Sequence, residues 1–265
     1  MMDNGITELG RELILPAELQ AGPDSLRGRV ILLTGAASGL GRAASRALAE
    51  AGATTILLDR QLKALETLYD EIVAAGHPEP VLHPINLEGV GAAEYLELAT
   101  AVDREFRRLD GVLHSAASLG ELSPMHQYNP DLWARALHVN INAPFLLNQV
   151  CLPLLQRSDD GRLVFTSDSV GRRGKAFWGA YAASKAALEN MMETLACELG
   201  SGNRVRVMTF DPGVVDTPLR RTAYPGEDNQ ANTRPEQLGP CYVHLFGRAG
   251  AGYHGRRVTR PPSLD

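Results

Sequence analysis

Tyr181 and Lys185 stand four residues apart in a segment, residues 178–200, whose pattern reads as a helix. Four residues make about one helical turn, so the two side chains share a face. A phenol beside an ammonium is an acid–base pair. The positive charge lowers the phenol's pKa toward working pH, and the hydroxyl can then exchange a proton with a substrate oxygen. Such a spacing is common by chance, so its weight depends on what surrounds it.

A second group of residues could hold an anion. The run Thr34-Gly35-Ala36-Ala37-Ser38-Gly39-Leu40-Gly41 follows an apolar strand and leads into a helical pattern. Glycines there permit a tight turn and close backbone approach, and the helix N-terminus offers free N–H groups to a pyrophosphate. Strand before and helix after make this a dinucleotide-binding loop rather than a chance glycine turn. Asp59 ends the next strand, about 20 residues on, where a carboxylate can accept from adenosine ribose hydroxyls and repel a 2′-phosphate. That favours NAD, while the adjacent Arg60 could contact a phosphate and keeps NADP open. Asp59 could also cap the helix that starts near Gln61.

The elements that must position these residues alternate along the chain. Apolar, β-branched runs lie at 30–34, 54–58, 81–85, 111–114, 163–166 and 205–208. Helical patterns lie between them, at about 40–51, 62–75, 91–107, 129–156 and 178–200, with Gly52, Gly76 and Gly200 as stops. Near-continuous apolar strands separated by helices predict an α/β fold: a doubly wound, Rossmann-type parallel sheet in three α/β/α layers. Ligands in such sheets sit beyond the carboxyl ends of the strands. The 265 residues suit a single domain, read as 27–265, with 1–26 as an N-terminal extension.

The loop spacing, Gly35-x-x-x-Gly39-x-Gly41, together with Tyr181-Ala-Ala-Ser-Lys185, resembles the short-chain dehydrogenase/reductase family over about residues 27–250. The segments from Leu163 to Tyr181 and from Ala223 to Asp228 are most similar to its YciK-type bacterial oxidoreductases. The resemblance implies an NAD(P)-dependent enzyme that interconverts an alcohol and a carbonyl by hydride transfer. Tyr181 would move the proton and Lys185 would also hold the nicotinamide ribose. Asn140 matches the family's catalytic Asn, which holds a proton-relaying water. Asn86-Leu87 stands where the family usually has an acidic residue beside the adenine, Ser115-Ala116-Ala117 stands where it usually shows Asn-Ala-Gly, and Pro212, Gly213, Val215 and Thr217 match the nicotinamide segment. Position 38, where phosphate-selective members often carry a basic residue, is Ser38. Residues 217–238 would form a substrate lid. The two long helices would pair with a second subunit, giving a homodimer or homotetramer.

The main departure from the family lies at its catalytic serine. Thirteen residues before Tyr181, where a serine polarises the substrate carbonyl, stands Asp168. A carboxylate about 4 Å from a phenolate would cost on the order of 4 kcal/mol at an effective dielectric of 20. Three outcomes follow. A neutral Asp168 could donate as the serine would, Ser167 or Ser169 could shift into the role, or ordinary activity could be lost. The competing reading is therefore a dinucleotide-binding protein with altered catalysis, acting as a sensor or partner. Sugar-nucleotide epimerases share the loop but need a larger substrate region.

Composition narrows the partners. The net charge of −5 and the lack of a long basic run give no footprint for nucleic acid or an anionic membrane. No apolar stretch is long enough to span a bilayer, and no signal peptide is legible, so the expected location is cytoplasmic. Cys151, Cys197 and Cys241 and the scattered histidines match no metal spacing, so no metal is expected.

Overall fold

The strongest strand signals in the sequence become the middle of one sheet. In the computed structural model, which describes residues 9–19, 22 and 24–261, β2 (Val30–Thr34), β5 (Gly111–His114) and β6 (Gly161–Thr166) are buried at every position. That is the signature of strands covered on both faces. β3 (Thr54–Asp59), β4 (Val81–Pro84) and β7 (Val205–Asp211) complete the expected set. Two further strands, β1 (Glu12–Ile14) and β8 (Arg256–Thr259), extend one edge. The order is β1-β8-β7-β6-β5-β2-β3-β4, and every pairing is parallel.

Helices cover both faces. On one side α1 (Gly39–Glu50), α2 (Leu62–Ala74) and α8 (Gly239–Phe246) bury Leu48, Leu65 and Tyr242 against the sheet. On the other, α3 (Ala92–Phe106), α5 (Ala143–Leu155) and α6 (Gly179–Leu199) bury Tyr95, Leu147 and Leu188. This is the doubly wound, three-layer arrangement. The chain winds from β2 outward to β4, then crosses back to β5 and proceeds the other way. The direction reverses between β2 and β5, which is where such folds open a ligand crevice.

Three features differ from the sequence reading. Part of the expected N-terminal extension belongs to the sheet, because β1 pairs with β8 through Glu12–Arg257, Leu13–Val258 and Ile14–Thr259. Residues 1–8, 20–21 and 23 of that extension lie outside the described residues. The single long helix expected over 129–156 is interrupted: α4 (Pro130–Leu137) passes through a π-turn, His138–Asn142, before α5 begins. The expected lid contains ordered turns and a short helix, α7 (Pro218–Ala223), capped by the Thr217 hydroxyl, which accepts from the Arg220 N–H.

Candidate active site

The crevice at the β2/β5 reversal is a cleft of about 450 Å³. Every cofactor-side residue singled out from the sequence lines it, from Gly35 and Ser38 through Asp59 and Arg60 to Gly213 and Thr217. Tyr181, Lys185 and Asp168 line the same cleft. Asn140 stands just behind it. Among the residues named for the substrate pocket, Leu119, Trp178 and Tyr224 line the cleft, whereas Met125 is 65% exposed and does not line it.

The glycine loop has the geometry of a phosphate cradle. Gly35 has φ +69°, and a Cβ there would come within 2.8 Å of the Ala116 backbone. A Cβ on Gly41 would sit 2.1 Å from the Gly35 carbonyl oxygen, so only glycine fits. Ser38 precedes α1 without capping it through its side chain, leaving first-turn N–H groups to meet an anion. Thr34 Oγ1 accepts from the Ser115 and Ala116 N–H groups at 3.1 and 3.2 Å, tying the loop after β5 to β2. Among the described residues the buried Ser115 hydroxyl has no partner, and Ser115 lines the cleft. An orphaned hydroxyl beside a phosphate cradle fits a ribose-bearing dinucleotide.

Asp59 is more committed than the sequence suggested. Its Oδ2 accepts from the Ala37 N–H at 3.1 Å and its Oδ1 from the Gln61 N–H at 3.0 Å. The carboxylate therefore fastens the glycine loop to the start of α2. Arg60 points along the cleft rim and pairs with Glu88 at 3.2 Å. Asn86 Oδ1 accepts from the Glu88 N–H at 3.2 Å in a local turn.

At the catalytic end, helix α6 carries Tyr181 and Lys185 on one face, both buried. Lys185 Nζ donates to the Thr166 carbonyl at 2.7 Å and lies over the Tyr181 ring, 5.4 Å from its centroid. Burial pushes the ammonium down to about 8, opposed by the negative charges of Asp168, Asp211 and Glu189. The expected lowering of the phenol is overturned. Tyr181 is held well above its ordinary value, chiefly by burial, then by the charge of Asp168 and by its hydrogen bond to that carboxylate. That bond runs from Tyr181 Oη to Asp168 Oδ2 at 3.3 Å.

The neighbouring serines have other partners. Ser167 is buried and donates to Glu189 Oε1 at 2.5 Å, so its hydroxyl is taken. Ser169 is exposed, does not line the cleft and reaches only Asp168 Oδ1, at 3.4 Å. The residue facing Tyr181 is Asp168 itself. Its Oδ1 also accepts from the Val170 N–H at 3.0 Å, which fixes the carboxylate at the head of a tight turn.

Asn140 lies inside the π-turn, where the widened backbone redirects a side chain inward. Its Oδ1 accepts from the Ser118 N–H at 2.7 Å, and its Nδ2 donates to the Ser118 carbonyl and to Ser184 Oγ, both at 2.9 Å. It joins the loop after β5 to helix α6. Sequence reasoning missed Ser118 and a buried ionic network beneath the site. Arg172 bridges Glu189 at 2.6 Å and Asp211 at 2.5 Å, and Arg257 reaches Glu189 at 3.2 Å. The helical spacing of Tyr181, Lys185 and Glu189 was the available signal for the last of these.

Comparison with known proteins agrees with this geometry. The family model described as short chain dehydrogenase matches residues 29–228, and the chain belongs to that oxidoreductase family. It is 44% identical over 224 residues to the uncharacterized oxidoreductase YciK of Escherichia coli K12, covering 84% of this chain and 88% of that protein. A Shigella flexneri 2a relative solved in complex with NADP superimposes with a TM-score of 0.87 at 41% identity, covering 90% of this chain and 99% of that one. An Escherichia coli CFT073 relative solved with NADPH gives 0.86 at 42% identity, covering 89% and 98%. Among the described residues, no helix is long and apolar enough to cross a membrane.

Proposed function

We propose that this chain is an NADP(H)-dependent oxidoreductase, in which Tyr181 exchanges a proton at the heteroatom of a small polar double bond. The observation that carries this reading is that the phosphate cradle and the Tyr181–Lys185 pair open into one cleft. When bound, the dinucleotide supplies or takes up the hydride. The chain's own residues do the rest. Gly35, Gly39, Gly41 and the start of α1 would bind the diphosphate, and the Ser115 hydroxyl a ribose. Lys185 would place its ammonium beside the nicotinamide ribose, and Asn140 braces the wall behind it. Backbone at Val215 and the Thr217 hydroxyl would hold the nicotinamide end.

The choice of NADP over the NAD favoured by sequence rests on two supports. Both Asp59 oxygens are engaged by backbone N–H groups, while Arg60 is held only by an exposed ion pair that a 2′-phosphate could replace. In addition, relatives with 41% and 42% identity were solved with NADP and NADPH. Pairing of two copies through α5 and α6 is part of the same reading. It is supported by the half-exposed Phe145 on α5, and sedimentation velocity would test it.

Fluorescence titration with NADPH and NADH, followed by NADPH oxidation against a substrate panel, tests the proposal. Tighter NADPH binding and turnover lost in Tyr181→Phe are expected. Tighter NADH binding would overturn the cofactor choice. A second reading, dinucleotide binding with impaired catalysis, is favoured by Asp168. It predicts that only Asp168→Ser turns over.

A further inference from the structure

Three aromatic rings and one carboxylate converge at the substrate end of the cleft. Trp178, Tyr181, Tyr224 and Asp168 all line it. The Trp178 ring lies 5.6 Å from the Tyr181 ring, edge-on, and 5.6 Å from the Tyr224 ring. Faces of this kind attract cations. Two of the chain's own cations already pack there: Lys175 Nζ lies 4.8 Å and Arg220 Cζ 4.1 Å from the Tyr224 centroid.

Asp168 forms no ion pair among the described residues. Its Oδ2 accepts only the Tyr181 hydroxyl, at a distance longer than a strong O–H···O bond. The surrounding cations each have another partner, Lys175 donating to the Tyr224 hydroxyl at 2.6 Å. Lys185 donates to the Thr166 carbonyl, Arg220 is held by both oxygens of Glu227, and Arg172 is shared by Glu189 and Asp211. The lone pairs of a neutral carbonyl oxygen would face this carboxylate. A protonated nitrogen would instead donate a charge-assisted hydrogen bond to it.

We propose that the substrate is an organic cation whose reducible group is a protonated C=N bond, held by Asp168 and flanked by Trp178, Tyr181 and Tyr224. This rests on the oxidoreductase reading above. In the step, the iminium carbon accepts a hydride from the reduced nicotinamide dinucleotide. The π pair of the C=N bond moves onto nitrogen and neutralises it. The products are a neutral amine and the oxidised dinucleotide. The hydride step itself takes no proton; Tyr181 exchanges one with the product nitrogen afterwards, and the amine leaves as its ammonium. The reverse step takes the hydride from the carbon beside an amine nitrogen.

The test has a binding arm and a turnover arm, both with the full chain. Calorimetry on the NADP complex would compare iminopiperidine, a cyclic amidinium that cannot be reduced this way, with the neutral lactam piperidone. The amidinium should bind about tenfold tighter or more in wild type and lose that advantage in Asp168→Asn. In turnover, wild type with NADPH should reduce dihydroisoquinoline with a kcat/KM about tenfold or more above that for tetralone, and Asp168→Ser should reverse the order. Unchanged NADPH fluorescence quenching certifies that each variant is folded. If tetralone is preferred by wild type and variant alike, or the lactam binds as well as the amidinium, the cation proposal fails while the oxidoreductase reading stands. If no variant reduces either compound, both fail.

Discussion

Replacing Asp168 by Asn should make Tyr181 markedly easier to ionise. In wild type the phenolic oxygen lies 3.3 Å from a carboxylate oxygen. At that separation a phenolate and a carboxylate repel by about 5 kcal/mol at an effective dielectric of 20. Asp168 is partly open to the cleft, so solvent screening lowers this to roughly 2–3 kcal/mol. The direction is firm because Asn keeps the shape and removes the charge. Burial remains in the variant, so Tyr181 should stay above an ordinary tyrosine. The assay is alkaline titration of near-ultraviolet phenolate absorbance. The Tyr181 signal is obtained by subtracting the curve of a Tyr181→Phe variant on each background, with circular dichroism confirming that the fold persists. If Tyr181 ionises at the same pH with and without Asp168, the coupling inferred between them is wrong.

Four other changes probe the scaffold. Lys185 is depressed from 10.5 to about 8, so between those values the unfolded chain binds more protons and stability rises with pH. The penalty is fully present below about 8. Lys185→Met should therefore be more stable than wild type near neutrality, by about 2–3 kcal/mol, with a gap that closes as pH rises, read by urea denaturation across that window. Arg172→Met leaves Glu189 and Asp211 buried without their shared partner and should cost about 3–5 kcal/mol in the same measurement. Gly41→Ala forces a methyl against the Gly35 carbonyl and should cost at least about 1–3 kcal/mol and abolish NADPH quenching. Gly174→Ala, with no atom near the added Cβ, should leave the melting temperature unchanged.

The central sheet was legible because each of its strands is apolar enough to be buried on both faces. The glycine loop was legible because its backbone demands leave only glycine at Gly35 and Gly41. Edge elements gave no such signal. β8 reads Arg-Arg-Val-Thr and β1 is three residues long, so neither carries the apolar run of a central strand. The break at His138–Asn142 was hidden because a π-turn keeps the helical pattern on either side of it. Asp168 was visible as a departure, but its partner was not. Only the fold shows that Ser167 turns away to Glu189 and leaves the carboxylate facing Tyr181. The arginine network was illegible for the same reason, since Arg172, Glu189, Asp211 and Arg257 meet only in three dimensions.

The pairing of β1 with β8 joins residues as much as 246 apart in sequence. β1 comes early in the chain and cannot dock until the last strand is in place. It is also short, and Ile14 remains 60% exposed, so it should open far below the free energy of global unfolding. Opening would uncover the flank of β8, a row of unpaired backbone groups able to template another chain. Once docked, β1 becomes the outer strand, too short and too charged around Arg11 and Glu12 to serve as such a template itself. Removing β1 should therefore show first in solubility on storage, before any loss at the cleft.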